Sequence, residues 1–154
     1  MKILVDADAS PKKDAIIKAA HLYDLKVILV SSISHYSTKE LPDRVERVWV
    51  DIGSDVADFK IVQLASPSDI VVTGDYGLAS MLLPKGCRVL HHDGYEYTSD
   101  NIQRLIDSRH LASNQRRTSQ RVRVKSMDPF AGERQLPFEE LLDKSIQAHL
   151  GEAD

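Results

Sequence analysis

Lys2-Ile3-Leu4-Val5-Asp6-Ala7-Asp8-Ala9-Ser10-Pro11 opens the chain and decides its class. Ile3, Leu4 and Val5 form an unbroken apolar run, the pattern of a short strand covered on both faces. Asp6 and Asp8 close that run. In an extended backbone they would point to the same side. Acids seldom sit in an apolar strand unless paired or bound to a cation. At the carboxyl end of a parallel strand they stand where open α/β sheets bind ligands. Alternatively, one acid caps a helix starting near Pro11 while the other is solvated.

The rest of the chain repeats the opening pattern. Strands are expected near 2–6, 26–31, 46–50, 69–73 and 87–91, and helices near 12–23, 55–66, 76–83, 99–111 and 136–149. Lys26-Val-Ile-Leu-Val-Ser31 and Ile70-Val-Val-Thr73 are rich in β-branched residues. Asp14-Ala-Ile-Ile-Lys-Ala-Ala-His-Leu has the spacing of an amphipathic helix. Strands alternating with helices predict a three-layer α/β/α fold with a mostly parallel sheet of about five strands. The segment 112–135 is polar, rich in Arg, Ser and Gln, and reads as a long surface loop. Phe138, Leu141, Leu142 and Ile146 share one face of the last helix, which is expected to dock on the body.

The 154 residues suit one domain with a sizeable core. One cysteine, Cys87, excludes an internal disulfide and a Cys-rich zinc site, and reads as a small core residue. No 18-residue apolar run is present, and the N-terminus enters a strand at once, so a cytoplasmic protein without a signal peptide is expected. The net charge of −3 is unevenly spread: residues 1–103 carry a balance of −4, 104–125 of +6 and 126–154 of −5. The basic stretch holds Arg104, Arg109, Arg116, Arg117, Arg121, Arg123 and Lys125 against Asp107. An acidic site followed by a basic segment suits a phosphate-rich partner that needs a metal at the reacting atom.

Two further acidic motifs join the first. Gly53-Ser54-Asp55-Val56-Ala57-Asp58 opens a helix, with Ser54 a plausible N-cap and Asp55 and Asp58 three apart on one face. Thr73-Gly74-Asp75 ends the fourth strand, where Asp75 either caps the next helix or joins Asp6 at the carboxyl edge. Asp69 begins that strand and reads as a turn residue at the opposite edge; Asp93-Gly94 reads as a turn. His91-His92 follows a strand without regular partner spacing and reads as structural or solvated, while His21, His35, His110 and His149 are scattered. No P-loop and no nucleophilic-serine motif occurs.

Phosphodiester hydrolysis needs a nucleophilic water and charge stabilisation on the attacking and leaving oxygens. Mg²⁺ or Mn²⁺ provides both and prefers carboxylate and water ligands. A two-metal site holds its ions ~3.5–4 Å apart, so several carboxylates must converge. Asp6, Asp8, Asp55, Asp58 and Asp75 are the candidate metal ligands, with Asp6, Asp8, Asp58 and Asp75 expected to carry catalysis.

These motifs resemble the YaiI/YqxD family of bacterial proteins of unknown function, whose domain is similar to PIN-like nucleases. The likeness rests on Val5-Asp6-Ala7-Asp8-Ala9-Ser10-Pro11, on Gly53-Ser54-Asp55-Val56-Ala57-Asp58, and on Val72-Thr73-Gly74-Asp75 with Leu78-Ala79. Lys85-Gly86, Tyr97-Thr98, Asn101-Ile102 and, later, Arg109, Arg116, Phe130, Arg134 and Phe138 extend it over nearly the whole chain. The resemblance implies a PIN-like fold in which Asp6, Asp8, Asp55, Asp58 and Asp75 match the family's acids and Asn101 its Asn. It differs at Ser10, where the family usually has Cys, and at Ser126-Met127-Asp128-Pro129, where the family has Gly-Gly-Pro.

The leading expectation is a metal-dependent nuclease acting on RNA, with Arg109, Arg116, Arg117 and Asn101 on the nucleic acid. A non-catalytic PIN-like domain that holds RNA or protein is the alternative. A second alternative is a haloacid-dehalogenase-type phosphatase with Asp6 as nucleophile, since Asp-x-Asp after a first strand is also that signature. That chemistry wants a Lys and a later acid pair, which Gly74-Asp75-Tyr-Gly-Leu-Ala lacks.

Overall fold

The computed structural model describes residues 1–53, 55–118 and 135–152, with only the backbone for 109–118 and 152. Six strands form one sheet: β1 (Lys2–Asp6), β2 (Lys26–Ser32), β3 (Val45–Val50), β4 (Ile70–Val72), β5 (Arg88–His91) and β6 (Tyr95–Tyr97). Five α-helices accompany them among the described residues: α1 (Lys13–Leu22), α2 (Val56–Leu64), α3 (Tyr76–Leu82), α4 (Ser99–Thr118) and α5 (Phe138–Glu152). The strand order is β3-β2-β1-β4-β5-β6. β1 to β5 pair in parallel, whereas β6 runs antiparallel to β5.

The apolar run of β1 explains the layering. Ile3 and Val5 face one side, where Ile16 of α1 and Phe138, Leu142 and Ile146 of α5 cover them. Leu4 faces the other, against Ile61 of α2, Leu78 and Leu82 of α3 and Leu105 of α4. All three β1 side chains are fully buried, each contributing about 1.5–3 kcal/mol of hydrophobic transfer. The three-layer α/β/α expectation therefore holds, and α5 docks as its apolar face predicts.

Three expectations need correction. The sheet has six strands, because the Asp93-Gly94 turn feeds the short antiparallel β6. Residues 112–118 are helical, continuing α4 beyond the expected end at 111, while 119–134 lie outside the described residues. Asp69 is more than a turn residue. It is 3% exposed, accepts from the Lys2 and Ser66 amides, and pairs with Lys2 Nζ at 2.6 Å. That arrangement ties the amino ends of β1 and β4 together.

Connectivity sets the site. The chain runs outward from β1 to β2 and β3, then returns past them to place β4 on the other side of β1. The reversal lies between β1 and β4, and open α/β sheets hold ligands in the crevice beyond the carboxyl ends of strands at such a switch point. Val5 is in register with Val72, which sets Asp6 beside Thr73.

Candidate metal centre at the switch point

Asp6 is the last residue of β1, and burial pushes its carboxyl above the usual range. The Thr73 hydroxyl opposes that shift by donating to Asp6 Oδ2 at 3.1 Å, while the negative charges of Asp75 and Asp8 reinforce it. Thr73 Oγ1 also accepts from the Asp75 amide at 3.0 Å. One hydroxyl thus aligns the acids of two neighbouring strands. The Tyr97 hydroxyl of β6 donates to the Thr73 carbonyl at 3.3 Å and holds this corner from below.

Asp75 caps α3, accepting at Oδ1 from the Gly77 and Leu78 amides at 2.8 and 3.3 Å. It also reaches Asp58 on the first turn of α2. The Asp58 carboxyl is pushed up to about 6, first by burial, then by the charges of Asp75 and Asp6, a hydrogen bond with Asp75, and Asp55. Asp6, Asp58, Asp75 and Asp55, drawn from three chain segments, therefore share one electrostatic neighbourhood. The charges of Asp75 and Asp8 raise Asp6, and those of Asp75, Asp6 and Asp55 raise Asp58.

Asp8 departs from its expected place. The strand ends at Asp6 and the chain tightens into a 3-10 turn over Ala7–Ala9, so Asp6 and Asp8 do not share the side that an extended backbone would give them. Asp8 Oδ2 instead accepts from the Ser32 amide at 2.8 Å, and Oδ1 lies 3.0 Å from His35 Nδ1. Asp8 bridges β1 to the end of β2 and lies close enough to raise Asp6 electrostatically. Ser10, in the family's Cys position, accepts from the Lys12 amide at 3.3 Å and shapes the entry to α1.

Asp55 occupies the N-cap position of α2 without a side-chain cap bond; the Ser54 cap expectation lies outside the described residues. Asn101 is withdrawn from the nucleic-acid set. It is fully buried, accepting from the Thr98 amide and donating to the Glu96 carbonyl, so its amide is spent on the start of α4. Arg109, Arg116 and Arg117 ride on α4, and their side chains lie outside the described residues.

His91 and His92 belong to the same edge. Their rings stand 4.3 Å apart, and a Cβ on Gly74 would meet His92 Cε1 at 3.0 Å. Among the described residues, only His91, His92 and Asp93 offer three ligand atoms all within 4.8 Å of one another. The carboxylates of Asp6, Asp58 and Asp75 form a wider set. Mg²⁺ suits such a set, since it keeps several waters and takes only one or two carboxylates. An all-oxygen donor set of this kind is what a hard divalent ion prefers. His35, missed in the sequence, carried one signal: it follows β2 by three residues, at the same edge as Asp6.

The raised acids have a pH consequence. A carboxyl raised in the folded state contributes stability that is fully present below its ordinary value of 3.8 and is lost as pH rises through about 6. Asp58→Asn should therefore raise the unfolding temperature of the metal-free protein above pH 6 and leave it unchanged near pH 3.5. Divalent-ion affinity should climb over the same interval as Asp58 ionises. Thermal unfolding in chelator across pH checks both; a pH-independent gain would show that Asp58 acts through packing alone.

Helices on both faces of one sheet and an acid-lined switch point define the broad class: an α/β protein with carboxylates gathered at the carboxyl edge of its sheet. The chain belongs to the uncharacterised YaiI/YqxD family, DUF188, whose profile matches residues 4–148. A UPF0178 protein of Bacillus cereus (strain G9842) is 50% identical over 149 residues, covering 97% of this chain and all of that protein. A UPF0178 protein of Bacillus anthracis (strain CDC 684) is 49% identical over 146 residues, covering 95% and 99%. The crystal structure of a tryptophan-to-leucine mutant of Rae1 (YacP) from Bacillus subtilis aligns over both whole chains with a TM-score of 0.42 and 20% identity. Among the described residues, no helix is long and apolar enough to cross a membrane.

Proposed function

We propose that this protein is a metal-dependent nuclease with a PIN-like acidic centre, acting on RNA. The observation that carries the reading is the gathering of Asp6, Asp58 and Asp75 at the switch point, where the acids raise one another by mutual repulsion. Asp6, Asp58 and Asp75 would hold Mg²⁺ or Mn²⁺, one or two of them directly and the rest through the ion's waters, with Asp55 at the margin. When bound, the ion supplies a nucleophilic water at neutral pH and offsets charge on the phosphodiester oxygens.

The side chains divide the remaining work. Thr73 fixes Asp6 through its hydroxyl and Asp75 through that residue's amide. Asp58, raised to about 6 in the metal-free protein, is ionised at neutral pH and so available as a ligand. Arg109, Arg116 and Arg117 on α4 are assigned to the phosphates. The phosphatase reading fares worse, because it needs Asp6 and Asp8 on one reacting phosphorus, and Asp8 is engaged by Ser32 and His35.

Incubating purified protein with labelled RNA and Mn²⁺ tests the proposal. Cleavage that disappears on chelation supports it. Intact RNA in the presence of a stabilising metal would instead assign a non-catalytic binding domain.

A further inference from the structure

The β2–β3 side of the site edge carries aromatic groups that the acidic centre does not use. Tyr36 directly follows the short 3-10 turn Ile33–His35, and 63% of it is exposed. Its ring centroid stands 5.1 Å from that of Trp49 on the edge strand β3, with the planes tilted by 43°. The Arg47 guanidinium lies over the same indole, 5.1 Å from the ring centroid. Arg47 and Trp49 are two apart on a strand, so they rise from one face of the sheet, opposite Leu29 and Ser31 of β2. Arg47 Nε is buried without a hydrogen-bond partner, so that atom is not committed within the protein.

This cluster adjoins the acids. His35, the residue before Tyr36, is the partner of Asp8 at 3.0 Å. A groove of about 780 Å³ between α1 and residues 37–44 touches Asp8 and His35 and has Arg47 in its wall. Its lining holds five Lys or Arg side chains and five Asp or Glu. A surface so balanced does not select a polyanion by charge. An exposed tyrosine against a tryptophan backed by a guanidinium selects a flat π-system instead, because aromatic rings and Arg planes stack with bases of any sequence.

We infer that Tyr36, Trp49 and Arg47 form a stacking site for one unpaired nucleobase of a single-stranded nucleic acid. The inference rests on the nucleic-acid reading above and adds where the strand is held. Base faces are accessible in single strands and concealed in a duplex, so the site favours unpaired substrate. His35 and Asp8 connect the stacking platform to the Asp6 corner.

Trp49 is the chain's only tryptophan, so its emission reports directly on this cluster. The full-length protein in chelator is titrated with a short oligouridylate, with an abasic strand of equal length, and with the duplexed form. Quenching by the oligouridylate, and little by the other two, is the expected result. Tyr36→Ala, which keeps the reporter, should weaken binding about tenfold, and Tyr36→Phe should restore it. Equal quenching by the abasic strand, or strand binding by fluorescence anisotropy without quenching, would overturn the stacking site. Asp6→Asn should lose Mn²⁺-dependent cleavage yet keep the quench. Cleavage without quenching would therefore remove only the stacking site, and quenching without cleavage only the nuclease.

Discussion

Asp6→Asn is expected to lower Mn²⁺-dependent RNA cleavage by about a thousandfold, as losing about 4 kcal/mol of charge stabilisation implies. The substitution keeps the shape of the side chain and its capacity to accept from Thr73 at 3.1 Å. It removes the negative charge that anchors the corner between β1 and β4. It also relieves repulsion, because Asp6 is among the charges that raise Asp58. The variant should therefore fold at least as stably as the parent in chelator while ceasing to respond to added Mn²⁺ in thermal unfolding. A binding ligand raises the unfolding temperature only through affinity for the folded state. Loss of cleavage with the metal response intact would move the metal away from Asp6 and leave that residue a purely chemical role.

Gly94→Ala carries the largest expected effect on folding. Gly94 turns β5 into β6 with φ of +99°, a region that side chains rarely enter. A Cβ there would fall 1.7 Å from the Leu136 carbonyl oxygen and 2.9 Å from its carbon. The obstacle is backbone, so no rotamer change relieves it. The Leu136 amide donates to the Gly94 carbonyl at 3.0 Å, and Gln135 reaches the Asp93 carbonyl at 2.9 Å. This contact seats the chain just before α5. We expect a loss of about 3–5 kcal/mol, seen as a fall of roughly 10–15 °C in unfolding temperature for a chain of this size. Gly151→Ala is the control: it lies in α5 with nothing within 4 Å of the new Cβ, and should leave stability unchanged or slightly raised. Equal behaviour of the two variants would show that the turn yields cheaply.

The sequence made the layers legible because hydrophobicity and periodicity are local properties. Ile3-Leu4-Val5 alternates between two helix layers, and that alone requires cover on both faces. The acids at strand ends were legible for the same reason. Contacts between distant segments were not. Tyr95-Glu96-Tyr97 is too short to stand out as a strand, and it exists because the preceding turn lays it against β5. Asn101 entered the nucleic-acid set through the family resemblance, but its neighbours Thr98 and Glu96 consume its amide. Asp69 looked like a turn until Lys2, 67 residues away, closed on it. His35 gained meaning only when the turn after β1 swung Asp8 toward β2. Tyr36 and Trp49 lie 13 positions apart and meet only because β2 and β3 pair.

The parallel sheet also separates two duties along its length. Lys2 and Asp69 rivet the amino ends of β1 and β4, while their carboxyl ends crowd acids that repel one another. An ion pair thus fastens one pole and the gathered acids occupy the other, with fully buried β1 residues between them. Such polarity lets the acid-lined rim change, as at Ser10, without loosening the fastening that keeps its acids aimed.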